Sequence, residues 1–113
     1  MNEKRNLIIK SIDLFMRYIP HYKSQISWRR KGLGDIAIQV KCQTHNYFVQ
    51  FIIYPVFFRK TNKRIVEVLA HECGHILISD MEGELEHKYK KIVEEAATSV
   101  GNLFLHKGEE VIL

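Results

Sequence analysis

The sequence predicts an α+β domain: one helix, three strands, then two helices, in the order α-β-β-β-α-α. Three observations predict it. Apolar residues recur at helical spacing at both ends of the chain. They alternate at period two through the middle. Pro20, Pro55 and the Gly32/Gly34 pair punctuate the changes of period. At 113 residues and 46% hydrophobic composition, the chain has the size of one domain, about 100–150 residues, and residues 1–113 are read as that domain.

The elements follow in order. From Glu3 to Ile19, the residues Ile8, Ile12, Phe15 and Ile19 form one stripe, widened by Leu7, Leu14 and Tyr18, and Pro20 stops the helix. Ser24 to Arg30 is a short strand in which Ile26 and Trp28 alternate with polar neighbours. Lys31-Gly32-Leu33-Gly34 is a turn, because closely spaced glycines supply positive φ. Asp35 to Cys42 alternates, with Ile36, Ile38 and Val40 on one face, and Gln43 to Asn46 turns the chain. Tyr47 to Tyr54 is rich in β-branched and aromatic residues and ends at Pro55. The three strands are expected to form an antiparallel meander. Thr61-Asn62 offers a helix N-cap, and Ile65, Val68, Leu69, Ile76 and Leu77 mark a helix to about Ser79. Asp80 to Gly83 connects it to a last helix, Glu84 to His106, with Ile92, Val93, Ala96, Val100, Leu103 and Phe104 on one face and Gly108 as C-cap.

Composition narrows the function classes. Lys and Arg number 17 against 13 Asp and Glu, a net charge of +4. No apolar run approaches the ~18 residues of a membrane span. Met1-Asn2-Glu3-Lys4-Arg5 leads into an amphipathic segment and not an apolar signal-peptide core. Two cysteines, Cys42 and Cys73, cannot build a disulfide framework. A reducing, cytoplasmic setting is the expectation.

The chemistry concentrates in His71-Glu72-Cys73-Gly74-His75. Histidines at i and i+4 lie one turn apart on one helix face, so their ring nitrogens can converge on one ion at about 2.0–2.1 Å. Glu72 lies beside that pair and can reach a metal-activated water without being a ligand. This is the H-E-x-x-H zincin pattern. Six His and ten Glu in 113 residues would produce it by chance roughly 0.03 times, and its position on a predicted amphipathic helix adds weight. A catalytic zinc keeps three protein ligands and one open position. Glu94 and Glu95 lie on the next helix, which can fold back antiparallel. They flank its packed face on opposite sides, so helical phase does not choose between them.

With these residues the chain resembles the gluzincin-type zinc metallopeptidases. These carry H-E-x-x-H on one helix and a ligand Glu, often followed by a small residue, on a later one. Glu95-Ala96 matches that pattern. The small size and element order look like the minimal gluzincins and the phage and mobile-element regulators of the ImmA/IrrE type. The resemblance spans about Tyr47 to Phe104. It implies His71, His75 and Glu95 as ligands of one Zn2+, Glu72 as general base, and a zincin-like fold whose last helix carries the third ligand. It also implies a peptide or protein substrate in extended conformation, with a regulatory protein as one such target. The chain departs from the family where many members place an Asp four residues after the ligand Glu. That position is Ser99 here (Thr98 if Glu94 is the ligand). A hydroxyl adds no charge there, and such second partners of a ligand are typically worth 10–100-fold.

Other residues are weighed against ordinary roles. In metallopeptidases of this kind an edge strand above the site pairs with an extended substrate by strand addition, and the resemblance implies that role for Tyr47 to Tyr54. Tyr54, His87, Tyr89 and His106 are candidate oxyanion donors with no means of choosing among them. Cys73 reads as a small packed residue on the back of the helix, and Gly74 as a point of close approach. Basic residues at Lys23, Arg29-Arg30-Lys31, Arg59-Lys60, Lys63-Arg64 and Lys88 to Lys91 allow nucleic acid as a partner, but scattered solvated lysines explain the same count. The expected function is therefore zinc-dependent peptide-bond hydrolysis. The alternative is a zinc-binding regulatory or interaction module with little hydrolytic activity, and a third reading is a basic nucleic-acid binder.

Overall fold

The structure is a computed structural model. It describes residues 2–43, 45–82 and Asn102. Helix α1 spans Asn2–Met16, strand β1 Lys23–Trp28, strand β2 Ile38–Gln43 and strand β3 Phe48–Ile53. A short 3-10 helix, Pro55–Arg59, leads into helix α2, Asn62–Glu82. The architecture is α+β, as expected: a helix, a three-stranded sheet and a second helix. The predicted last helix, Glu84 to His106, lies outside the described residues, apart from Asn102, which is helical.

The predicted stripe of α1 is its buried face. Ile8, Ile12 and Phe15 are buried, and Ser11 among them donates its hydroxyl to the Leu7 carbonyl at 2.7 Å. That bond satisfies the one polar group the stripe contains. Regular helix stops at Met16, three residues before the predicted end. The next three N–H groups bond three residues back, in the tighter pattern common at helix ends. Ile19 stays buried beyond the last turn.

The sheet differs from the expected meander. Its order is β1-β3-β2, with β3 parallel to β1 and antiparallel to β2. The physical reason is legible in β3 itself. Val49, Phe51 and Ile53 face the helices, while Ile52 on the opposite face is also buried. A strand apolar on both faces gains most from the centre, where it is covered on both sides and paired at both edges. Strands β1 and β2 keep polar residues such as Gln25, Lys41 and Gln43 exposed, which suits outer positions. The connection from residue 29 to 37 leaves a gap between β1 and β2 that β3 fills. Its turn is Leu33–Ile36, two residues later than the predicted Lys31–Gly34, so β2 begins at Ile38 and not at Asp35. Gly34 there takes a φ of 57°, and the Ile36 N–H donates to the Leu33 carbonyl at 3.1 Å.

Helix α2 starts as predicted. The Thr61 hydroxyl accepts a hydrogen bond from the Arg64 N–H at 3.2 Å, which caps the first turn. It runs on through Glu82, so Asp80 to Glu82 are helical and not a connection. Helices α1 and α2 pack on each other. The core joins Ile8, Ile12 and Phe15 of α1 to Ile65, Leu69 and Ile76 of α2 and to Phe51 and Ile53 of β3. Phe57, in the 3-10 helix between β3 and α2, is also buried. It anchors the turn that delivers the chain from the central strand into α2.

Candidate metal centre

The five residues His71 to His75 occupy the middle of α2. At about 100° per residue, the buried positions Ile65, Val66, Leu69, Ala70, Cys73 and Ile76 define one face of this helix. His71 and His75 point to the opposite side, about 160° away on the same projection. Core packing therefore does not account for either imidazole. Both rings are nonetheless half-buried, as is Glu72.

The two rings approach each other by their Nε2 corners. The Nε2 atoms are 3.1 Å apart, while the ring centroids are 4.7 Å apart and the ring planes stand at 82°. One nitrogen can donate a hydrogen bond to the other, or both lone pairs can face one cation. The separation suits the second arrangement. Two nitrogens 3.1 Å apart and each about 2.05 Å from one ion subtend about 98° at it, against about 109° for an ideal tetrahedron. The pair thus has the donor type and spacing of two zinc ligands. Among the described residues no group of three His, Cys, Asp or Glu comes together. Glu94, Glu95, Thr98 and Ser99 all lie outside them.

Glu72 precedes Cys73 on the helix and projects about 60° from His75, between the histidines along the axis. Cys73 is fully buried in the core, matching the packed role read for it. Burial pushes its thiol well above the usual range, and the charge of Glu72 adds to the rise. A thiol held protonated is a poor nucleophile and a poor metal ligand, so Cys73 contributes packing and not chemistry. Gly74 is also buried.

Two expectations for the surroundings change. Tyr47 to Tyr54 is not an edge strand: β3 is paired on both sides, so an extended substrate cannot add to it. Among the described strands, the outer ones are β1 and β2. Tyr54 is buried, and its hydroxyl donates to Gln39 Oε1 at 2.8 Å. That proton is committed to the sheet and not offered to an oxyanion. The other three candidate donors, His87, Tyr89 and His106, fall outside the described residues. The sequence did carry the signal that moves β3 inward, in the near-continuous apolar run Phe48-Val49-Gln50-Phe51-Ile52-Ile53.

No family model, curated protein or solved structure matches the chain.

Proposed function

We propose that the chain is a small zinc-dependent metallopeptidase. The observation that carries this reading is the convergence of the His71 and His75 Nε2 atoms to 3.1 Å, on a helix that also carries Glu72. The two imidazoles would hold the ion, and Glu95 would complete the ligand set by resemblance to the gluzincins, with Glu94 as the alternative. Bound zinc supplies Lewis acidity and lowers the pKa of a water towards ~7. Glu72 takes the proton from the attacking water and hands it to the leaving amine, the general acid–base role of a carboxylate beside a metal. The substrate is a peptide or protein segment in extended conformation, and the enzyme works in the cytoplasm.

The second reading, a zinc-binding module of little activity, is favoured by Ser99 at the position where many gluzincins carry an Asp. Elemental analysis of the purified protein and of His71→Ala tests the site. About one zinc per chain, lost in the variant, is the result expected of three protein ligands. No zinc in the wild type after zinc is offered refutes both readings. Glu72→Gln then separates them. A variant that keeps zinc and loses cleavage of a peptide library by about 10²–10⁴-fold supports the enzyme. If the wild type cleaves nothing while holding zinc, the module reading stands.

A further inference from the structure

Nine of the seventeen basic residues, which look scattered along the chain, are gathered at one end by the fold. Helix α1 begins there with Lys4 and Arg5. Lys4 Nζ donates to the Lys60 carbonyl, just before α2. The Arg5 guanidinium lies 4.5 Å from the centroid of the Trp28 ring at the end of β1. Trp28 in turn stands 6.0 Å from Phe58 of the 3-10 helix. Because β1 and β3 run parallel, their ends coincide, and the Arg29 N–H donates to the Ile53 carbonyl at 2.9 Å. Arg29-Arg30-Lys31 after β1 thus joins Arg59-Lys60 after β3 and Lys63-Arg64 in the first turn of α2. All but Lys4 and Lys60 are exposed.

These segments hold nine cations. Against them stand three carboxylates, Glu3, Asp35 and Glu67, the last paired with Arg64 at 3.2 Å. Nine minus three leaves +6, whereas the whole chain carries +4, so everything else sums to −2. Five of the six arginines of the chain are here. Arginine presents a planar fork of donors that matches phosphate oxygens. Resting Arg5 on the Trp28 face holds one such fork in place and lowers the entropy cost of offering it. Both helices begin at this end, which adds the positive ends of their dipoles.

We propose that this end of the molecule binds the phosphate backbone of nucleic acid, independently of the metal centre and of base sequence. A lipid surface fits less well. The exposed aliphatic residues in these segments, Leu33 and Ile36, sit in one tight turn with Asp35 between them. Inserting that turn would carry a carboxylate towards hydrocarbon.

The test is fluorescence anisotropy of a labelled duplex of about 20 base pairs and arbitrary sequence, titrated with the full chain over a series of salt concentrations. Binding is expected with log K falling against log[salt] at a slope of about −4 to −5, for some five phosphates at about 0.9 each. Replacing Arg29, Arg30 and Lys31 together by Ser should weaken binding at least tenfold at about 50 mM KCl and flatten the slope by up to about 2.7. Replacing the exposed Lys10, Lys23 and Lys41 by Ser removes the same charge elsewhere and should cost less than about threefold. No binding by the wild type at low salt overturns the proposal, whatever the variants do. So does an equal loss in the control variant, which would make net charge the cause. Binding to phosphatidylserine vesicles but not to the duplex overturns it in favour of a membrane surface. Chelator and His71→Ala should leave the affinity unchanged, so failure of the peptidase reading and failure of this one are distinguishable.

Discussion

Strand β3 as the centre of the sheet can be tested by coupling its Phe51 to each neighbour. Phe51 is fully buried, opposite Ile26 of β1 and Val40 of β2 in register, with all three side chains on the helix-facing side. Phe51→Ala removes a fully buried ring and should cost about 3–5 kcal/mol. That is a large fraction of the stability of a domain of this size, about 6–17 kcal/mol at 0.05–0.15 per residue. Ile26 is only half-buried, so Ile26→Ala should cost about 1–2 kcal/mol, less than a full core deletion. The two sites touch only if β1 pairs with β3, and contacting residues couple by about 0.5–3 kcal/mol. Urea unfolding reads this well. The one tryptophan of the chain, Trp28, ends β1, and an m-value of about 2 kcal/mol/M turns a 4 kcal/mol loss into a midpoint shift of about 2 M. The Val40–Phe51 pair serves as reference, since it is coupled in either strand order that keeps the β2–β3 hairpin. If Ile26 and Phe51 prove additive within about 0.3 kcal/mol while Val40 and Phe51 couple, β1 is not beside β3 and the inferred order is wrong.

Three further outcomes follow from individual contacts. The Cys73 thiol is held protonated by burial and by Glu72, so its folded-state pKa exceeds the unfolded value of about 8.5. Its contribution is fully present below that value and is lost as pH rises above it, by about 1.4 kcal/mol at pH 9.5. Thermal melts of metal-free Cys73→Ala should lack this alkaline increment, and an identical pH dependence in variant and wild type refutes the assignment. Thr61→Ala should cost about 1 kcal/mol through the lost cap of α2, with Thr61→Ser retaining most of it in the same melts. Tyr54→Phe should cost about 1 kcal/mol through the lost bond to Gln39 and leave peptide cleavage unaltered. A large fall in cleavage at unchanged stability would return Tyr54 to the list of oxyanion donors.

How far the sequence could be read varies with the range of the interaction involved. The stripe Ile8-Ile12-Phe15, the cap at Thr61 and the αL turn at Gly34 depend on residues within four positions of one another. Periodicity and turn chemistry report such features directly. The pairing of His71 with His75 is of the same kind, because one helical turn is enough to bring i and i+4 together. The helix end at Met16 and the extension of α2 to Glu82 were less legible. Terminal turns are balanced between regular and tighter hydrogen bonding, and composition barely tips them.

Strand order was the element that escaped. A four-residue link made the β2–β3 hairpin readable, but nothing within β1 says which neighbour it takes. That choice belongs to the whole sheet. It turns on which strand gains most from being covered on both faces, and Ile52 beneath Phe51 and Ile53 decides it. The same strand order removed Tyr47 to Tyr54 from the role of substrate edge, and the fold committed the Tyr54 hydroxyl to Gln39. It also carried Arg29-Arg30-Lys31 to the end where Arg59, Lys63 and the start of α1 already lay. Local spacing was enough to read α1, α2, the three strands and the His-Glu-His turn. Which strand is central, and which distant cations share a surface, was set by the packing of the whole fold, because both depend on contacts between residues tens of positions apart in the chain.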